Sequence, residues 1–247
     1  MENKDYWMSR RTVRRYTDRH VSDELLRDML LKASHAPTTG NMQLYSVIIT
    51  RDEAGKRALA PAHFNQPQVM GCDVALTFCA DLYRFSRWCS ERNADPCYDN
   101  MQSLMSAIQD TVIVAQQFNT IAEQNGLGCC WLGTTTYNAP EIARALSLPK
   151  LVVPVTTLTI GYPADVPGDC GRLPVDAFIH EGQYKDYTSD DIDRLYAEKE
   201  ARDDSRMFVA ENGKETLAQV FTDVRYPRAN NELFSEKFMS YLKQAGF

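Results

Sequence analysis

Residues 103–125 constrain the fold more than any other stretch. Leu104, Ile108, Thr111, Ala115, Phe118 and Ala122 step by four and three, the spacing of one helical face. Val112, Ile113, Val114 and Ile121 spread the apolar surface well beyond a single stripe. A helix that is apolar on most sides is buried on most sides. This one belongs at the centre of a domain or of a dimer, or serves as an ordinary core helix. Gly126 follows it and supplies a left-handed cap.

The elements around this helix follow from shorter signals. Ser22 before Asp23 and Glu24 predicts a helix start, with Leu25, Met29 and Ala33 as its stripe. Strands are expected at residues 44–50, 73–80, 129–133 and 152–162, the last interrupted by Pro154. Short helices are expected at 54–59, 81–92 and from Asn138 onward, and a loop carrying Pro61 and Pro67 at 60–68. Beyond residue 165 the character changes. A short strand is expected within 172–180, an exposed charged helix at 190–203, a poorly periodic and mobile stretch at 202–224, and a terminal helix at 235–244. Strands separated by helices give an α/β or α+β layer architecture.

The totals exclude several classes. A chain of 247 residues, 44% hydrophobic and 24% charged, can bury a full core as one large domain or two small ones. A net charge of −6 argues against a general nucleic-acid binder. No apolar run has the length of a membrane span, and the polar start, Met1 to Asp5, does not resemble a signal peptide. Seven cysteines without a Cys-x-x-Cys spacing suit a reducing, cytoplasmic compartment. Cys129 and Cys130 are neighbours on a strand and therefore point to opposite faces. None of the four histidines has a partner at zinc-ligand spacing, so no metal site is expected. The Gly-x-Ser-x-Gly elbow, the P-loop and the Rossmann fingerprint are all absent. If the chain is an enzyme, a cofactor carries the chemistry, and no catalytic side chain is singled out.

Against this acidic background one basic cluster stands out. Residues 9–16 hold four arginines and two small hydroxyls. Arginine's planar fork suits phosphate oxygens and stays charged at any working pH. The cluster reads either as a grip on a cofactor phosphate or as a solvated basic turn.

Three further motifs follow it in order: Ala-Pro-Thr-Thr-Gly-Asn-Met-Gln at 36–43, Gly-Leu-Gly leading into the strand at 129–133, and Gly-Arg-Leu-Pro at 171–174. With these the chain resembles the flavin-dependent nitroreductase superfamily, and within it the oxygen-insensitive NAD(P)H nitroreductase and flavin reductase branch. The resemblance runs from about residue 8 to the end, with the last forty residues matching loosely. It implies an α+β nitroreductase-like fold with a central mixed sheet flanked by helices, assembled as a homodimer. It implies one such domain over 1–247, with 190–247 as a C-terminal extension.

The resemblance also implies non-covalent FMN in two interface sites and NAD(P)H as co-substrate. By position, Arg10, Arg11, Thr12 and Arg14 match the phosphate and ribityl motif. Thr38, Thr39 and Asn41 match the loop lining the flavin, contributed by the other subunit. Gln66 matches the glutamine near the pyrimidine edge, with Gln68 as the rival assignment. Trp131, Leu132 and Gly133 match the strand end whose backbone approaches the ring, and Arg172 the later basic motif that returns to the phosphate. Where the family commonly has a lysine two residues before that arginine, this chain has Cys170, a loss that Arg10 or Arg15 would have to offset. The implied activity is ping-pong electron transfer from NAD(P)H to nitroaromatic, quinone or flavin acceptors. The alternative is a flavin-binding or flavin-storage protein without turnover. Arg225 and Arg228 form a second basic spot, read as a site for the 2′-phosphate of NADPH or as a solvated loop.

Overall fold

The computed structural model describes residues 6–247; the polar stretch 1–5 lies outside them. The chain forms two compact units. One runs to Pro167 and takes in Phe234–Phe247; the other is Gly168–Leu233.

The first unit is built on four strands: β1 (Tyr45–Thr50), β2 (Val74–Asp81), β3 (Gly128–Leu132) and β4 (Val152–Gly161). Their order across the sheet is β1-β2-β4-β3, and every neighbouring pair is antiparallel. The expected mixed sheet is therefore corrected. β2 and β3 run in the same direction, as a strand–helix–strand crossover requires, but β4 lies between them and opposes both. One inserted strand removes the single parallel pair. Pro154 is tolerated because the β2–β4 register shifts between Phe78 and Cys79, a bulge where a missing N–H costs no ladder bond.

The helices of this unit are α1 (Tyr6–Ser9), α2 (Asp23–Ala33), α3 (Glu53–Leu59), α4 (Pro67–Gly71), α5 (Tyr83–Ser90), α6 (Met101–Gln124) and α7 (Ala139–Ala145). Ser22 caps α2 as expected, accepting from Leu25 N. The loop expected at 60–68 instead holds a 3-10 turn, Ala60–His63, and the start of α4. Both prolines sit in first-turn positions, where they open helices rather than break them.

α6 is the expected long helix. Val114, Ala115, Phe118 and Ala122 pack with Phe78, Leu158 and the buried stripe of α2 in one core. Its burial is one-sided within the chain, however: Met101, Met105, Val112 and Ile113 are exposed. Cys129 joins that core, whereas Cys130 joins a second cluster with Leu59, Val69 and Ile142, so the two thiols do face opposite sides of the sheet.

In the second unit, α8 (Ser189–Ala201) begins in a capping box between Thr188 and Asp191. The strand expected within 172–180 is absent; the 3-10 turn Val175–Ala177 follows Pro174, which has no N–H to give a ladder. The stretch expected to be aperiodic forms α9 (Asp203–Glu211), α10 (Leu217–Gln219) and a π-helical turn, Val220–Arg225. Pieces this short do not build a readable period. α11 (Arg228–Ala245) starts earlier than expected, directly after Pro227, and its Tyr241, Leu242 and Ala245 are buried.

Candidate functional site

The arginine stretch is an extended strap along the ends of β3 and β4. Val13 N donates to Cys129 O at 3.1 Å, and Thr17 N to Tyr162 O at 2.9 Å. The Val13 side chain lies over Gly128 so closely that a Cβ there would come within 2.5 Å of it. The Tyr16 hydroxyl lies 2.9 Å from Thr159 O and 2.8 Å from Thr159 Oγ1. Its hydrogen serves a carbonyl while its lone pair accepts from the threonine. Burial raises the phenol's pKa far above its ordinary value. With Val13 and Tyr16 fixed inward, Arg14 and Arg15 face outward.

The four guanidinium groups have different fates. Arg10 Nε lies 3.4 Å from Glu123 Oε1, and Tyr6 Oη donates to Glu123 Oε2 at 2.7 Å. Arg11 Nη1 donates to the carbonyls of Met8 and Arg10, both at 2.9 Å. Arg15 pairs with Asp165 at the surface. Arg14 is exposed and forms no ion pair with any described residue. Burial raises the pKa of the Cys130 thiol, and the positive charge of Arg14 opposes that rise together with the Gln68 hydrogen bond. Thr12 is half-buried beside Val13.

Cys130 links the strap to the glutamines. Gln68 Nε2 lies 4.0 Å from Cys130 Sγ and donates to Gln66 Oε1 at 3.0 Å. The rivalry between Gln66 and Gln68 thus becomes a hydrogen-bonded pair, with Gln68 buried and Gln66 half-buried. At the end of β3 the Trp131 indole donates to Asn119 Oδ1 of α6 at 3.0 Å, and Leu132 is buried. Those two side chains are used for packing. Exposed Gly133 is open to a ligand there, while the Leu132 carbonyl accepts from Thr135. Arg14, Gln66, Gln68 and Gly133 therefore offer a guanidinium, two amides and bare backbone. That donor set suits a phosphate and a heteroaromatic edge, and FMN presents both.

Thr38, Thr39 and Asn41 form a separate feature. The turn Thr39–Asn41 has left-handed backbone at Gly40 and Asn41. Asp110 of α6, only 2% exposed, holds it: its Oδ1 accepts from Thr39 N at 2.8 Å and Thr39 Oγ1 at 3.0 Å. Asp110 and Glu123 are thirteen positions apart on α6, about 20 Å at 1.5 Å per residue. The strap is anchored at one place on this helix and the threonine loop at the other. Asp110 is legible in the sequence as an acid inside an apolar helix, a position that demands partners, although apolar spacing alone gives it no weight.

Arg172 lies in the second unit, its Nη1 donating to Gly171 O at 2.6 Å and to Cys170 Sγ at 3.2 Å. A cavity of about 300 Å³ there is lined by Cys170, Arg172, Lys199 and Arg202. Lys199 and Arg202 stand near Cys170, but Arg202 is paired with Asp204 and Asp169, just as Arg10 is paired with Glu123 and Arg15 with Asp165. Arg225 stacks on Phe208 at 4.4 Å and Arg228 pairs with Glu232 at 2.7 Å, so both have local partners. Among the described residues no helix is long and apolar enough to cross a membrane.

The sequence profile of the Nitroreductase family matches residues 7–162, which include the strap, the threonine loop, the glutamines and all four strands. A crystal structure from Bacteroides fragilis NCTC 9343 superposes with a TM-score of 0.97 at 52% identity, covering 98% of each chain. The chain is 31% identical over 185 residues to the FMN reductase (NADPH) of Bacillus subtilis, covering 74% of each. It is 31% identical over 175 residues to the oxygen-insensitive NADPH nitroreductase of Salmonella typhimurium, covering 71% of each. The chain belongs to the nitroreductase family. It is an enzyme of the oxidoreductase class.

Proposed function

We propose that the protein binds FMN non-covalently and moves electrons from NAD(P)H to nitroaromatic, quinone or flavin acceptors. The observation that carries this reading is the chain of contacts Gln66–Gln68–Cys130, which joins the two glutamines to β3 three residues before exposed Gly133. FMN, when bound, supplies the redox chemistry, with NAD(P)H and the acceptor using one cleft in alternation. The chain's own residues bind and orient. Arg14 and Arg11 hold the phosphate, Thr12 and Arg10 border it, and Arg172 is the cofactor-binding candidate of the second unit. Gln66 and Gln68 serve the pyrimidine edge, and the backbone of Trp131, Leu132 and Gly133 approaches the ring.

The threonine loop completes the site from a second copy of the chain. Two observations favour this homodimer: the separation of loop and strap along α6, and the exposed Met101, Met105, Val112 and Ile113 on that same helix. The whole chain acts as one functional domain, with 190–247 as its C-terminal extension. All seven cysteines are free, which suits the cytoplasm. The test is the visible spectrum of the purified protein, recorded anaerobically before and after NADPH or NADH. Flavin absorbance that bleaches with either nucleotide is expected. A protein that stays colourless after added FMN overturns the reading.

A further inference from the structure

Behind the glutamines lies a buried polar contact that the proposed chemistry does not use. His63 is 0% exposed, and its Nδ1 lies 2.8 Å from Thr134 Oγ1. The two residues belong to different walls of the candidate ring site. His63 closes the 3-10 turn before the glutamines, and Gln66 N donates to His63 O at 3.1 Å. Thr134 directly follows Gly133, in a turn where Thr135 Oγ1 donates to Leu132 O at 2.9 Å. We infer that His63 and Thr134 are a positioning pair that holds the glutamine wall in register with the end of β3. This inference rests on the flavin reading above.

The geometry argues that the bond, not packing, is what histidine contributes. The Nε2 of His63 is buried with no hydrogen-bond partner among the described residues. An unpaired buried polar atom costs stability, and a phenylalanine or leucine would fill the space without that cost. Orphaned buried N–H groups are rarer than orphaned acceptors. The lower-cost tautomer is therefore the one with the hydrogen on Nδ1, donated to Thr134, and a bare lone pair on Nε2. Burial lowers the His63 pKa to about 4, which keeps the ring neutral in this role.

A second link runs parallel to the first. Asn138 Nδ2 donates to Ala62 O at 2.7 Å, and Asn138 Oδ1 accepts from Lys237 Nζ at 2.7 Å. Phe234 stacks on Tyr137 with ring centroids 4.6 Å apart and meets Phe64 at 5.9 Å. The end of the chain thus braces both walls from behind, and the His63–Thr134 bond sets the spacing between them.

Side-chain length separates the positioning role from mere structure. An asparagine at 63 places its amide nitrogen where Nδ1 is; a glutamine places it near Nε2. Flavin-free protein is titrated with FMN, and thermal midpoints are measured alongside. His63→Gln and Thr134→Val should weaken FMN binding about fivefold, the value of one ordinary hydrogen bond, and shift the visible band of the bound flavin. His63→Asn should bind within about twofold of the parent and restore the band. Equal binding by all three variants, or losses in His63→Asn and His63→Gln that merely track the thermal midpoint, overturn the pairing role. A parent protein that takes up no FMN overturns the proposed function itself.

Discussion

Val13 and Gly128 are in contact at a distance no larger side chain could share: a Cβ on Gly128 would meet Val13 Cβ at 2.5 Å. The strap that carries the arginines is thus seated on β3 by the absence of a side chain there. Gly128→Ala should push the strap off the strand. The expected cost is about 1–3 kcal/mol, in the range of overpacked cores, with reduced FMN content. Urea denaturation and flavin absorbance per chain measure the two effects.

Arg14 is exposed and spends no charge on a described carboxylate. Arg14→Ala should therefore leave the denaturation midpoint nearly unchanged while the purified protein loses most of its FMN. A variant that keeps a full complement of flavin removes Arg14 from the phosphate site.

Asp110 receives two bonds from Thr39 and one, at 3.4 Å, from Leu44 N. Asp110→Ala strands these donors in a buried place. A loss of about 1–3 kcal/mol is expected, together with lower FMN affinity if the loop lines a flavin. Asp110→Asn, which keeps one acceptor oxygen, should lose less. Denaturant titration of the pair measures the difference.

His63 supplies a pH signature. Its folded pKa, about 4, lies below the ordinary value of 6.5 because burial penalises the cation. Between these values the unfolded chain binds more protons than the folded one, so stability rises with pH. The contribution is complete above about pH 6.5 and is lost as pH falls toward 4, amounting to about 3 kcal/mol. His63→Asn removes the titrating group. The parent's stability should fall more steeply than the variant's over that window, as read from urea midpoints.

What the sequence shows and what it hides differ for physical reasons. α6, the Ser22 cap and the four strands follow from local periodicity and capping, and the structure bears them out within a few residues. The place of β4 between β2 and β3 is a non-local fact that no window of residues carries. The exposed side of α6 is hidden because an apolar residue reads as buried whether its cover comes from its own chain or another. α9 and α10 are too short to show a period. At the candidate site the arginines and the threonine loop were recognisable. The buried residues behind them, Asp110 and His63, look like exceptions in apolar or loop sequence and gain meaning only from their partners.

The insertion of β4 also sets the order in which the chain can be completed during synthesis. β1 and β2 can pair as soon as residue 81 is available, because they are sheet neighbours. β3 emerges next and can meet the arginine strap, through Val13 N and Cys129 O, but its sheet neighbour β4 comes later in the chain. Until Gly161 has left the ribosome, β2 and β3 each carry an open edge, and the slot between them must not be closed by direct pairing of the two. β4 then fills it from both sides at once. The sheet therefore closes through its centre in a single late event, and edges open until then are sites of mispairing. A nascent chain arrested before residue 152 is accordingly the state most exposed to mispairing.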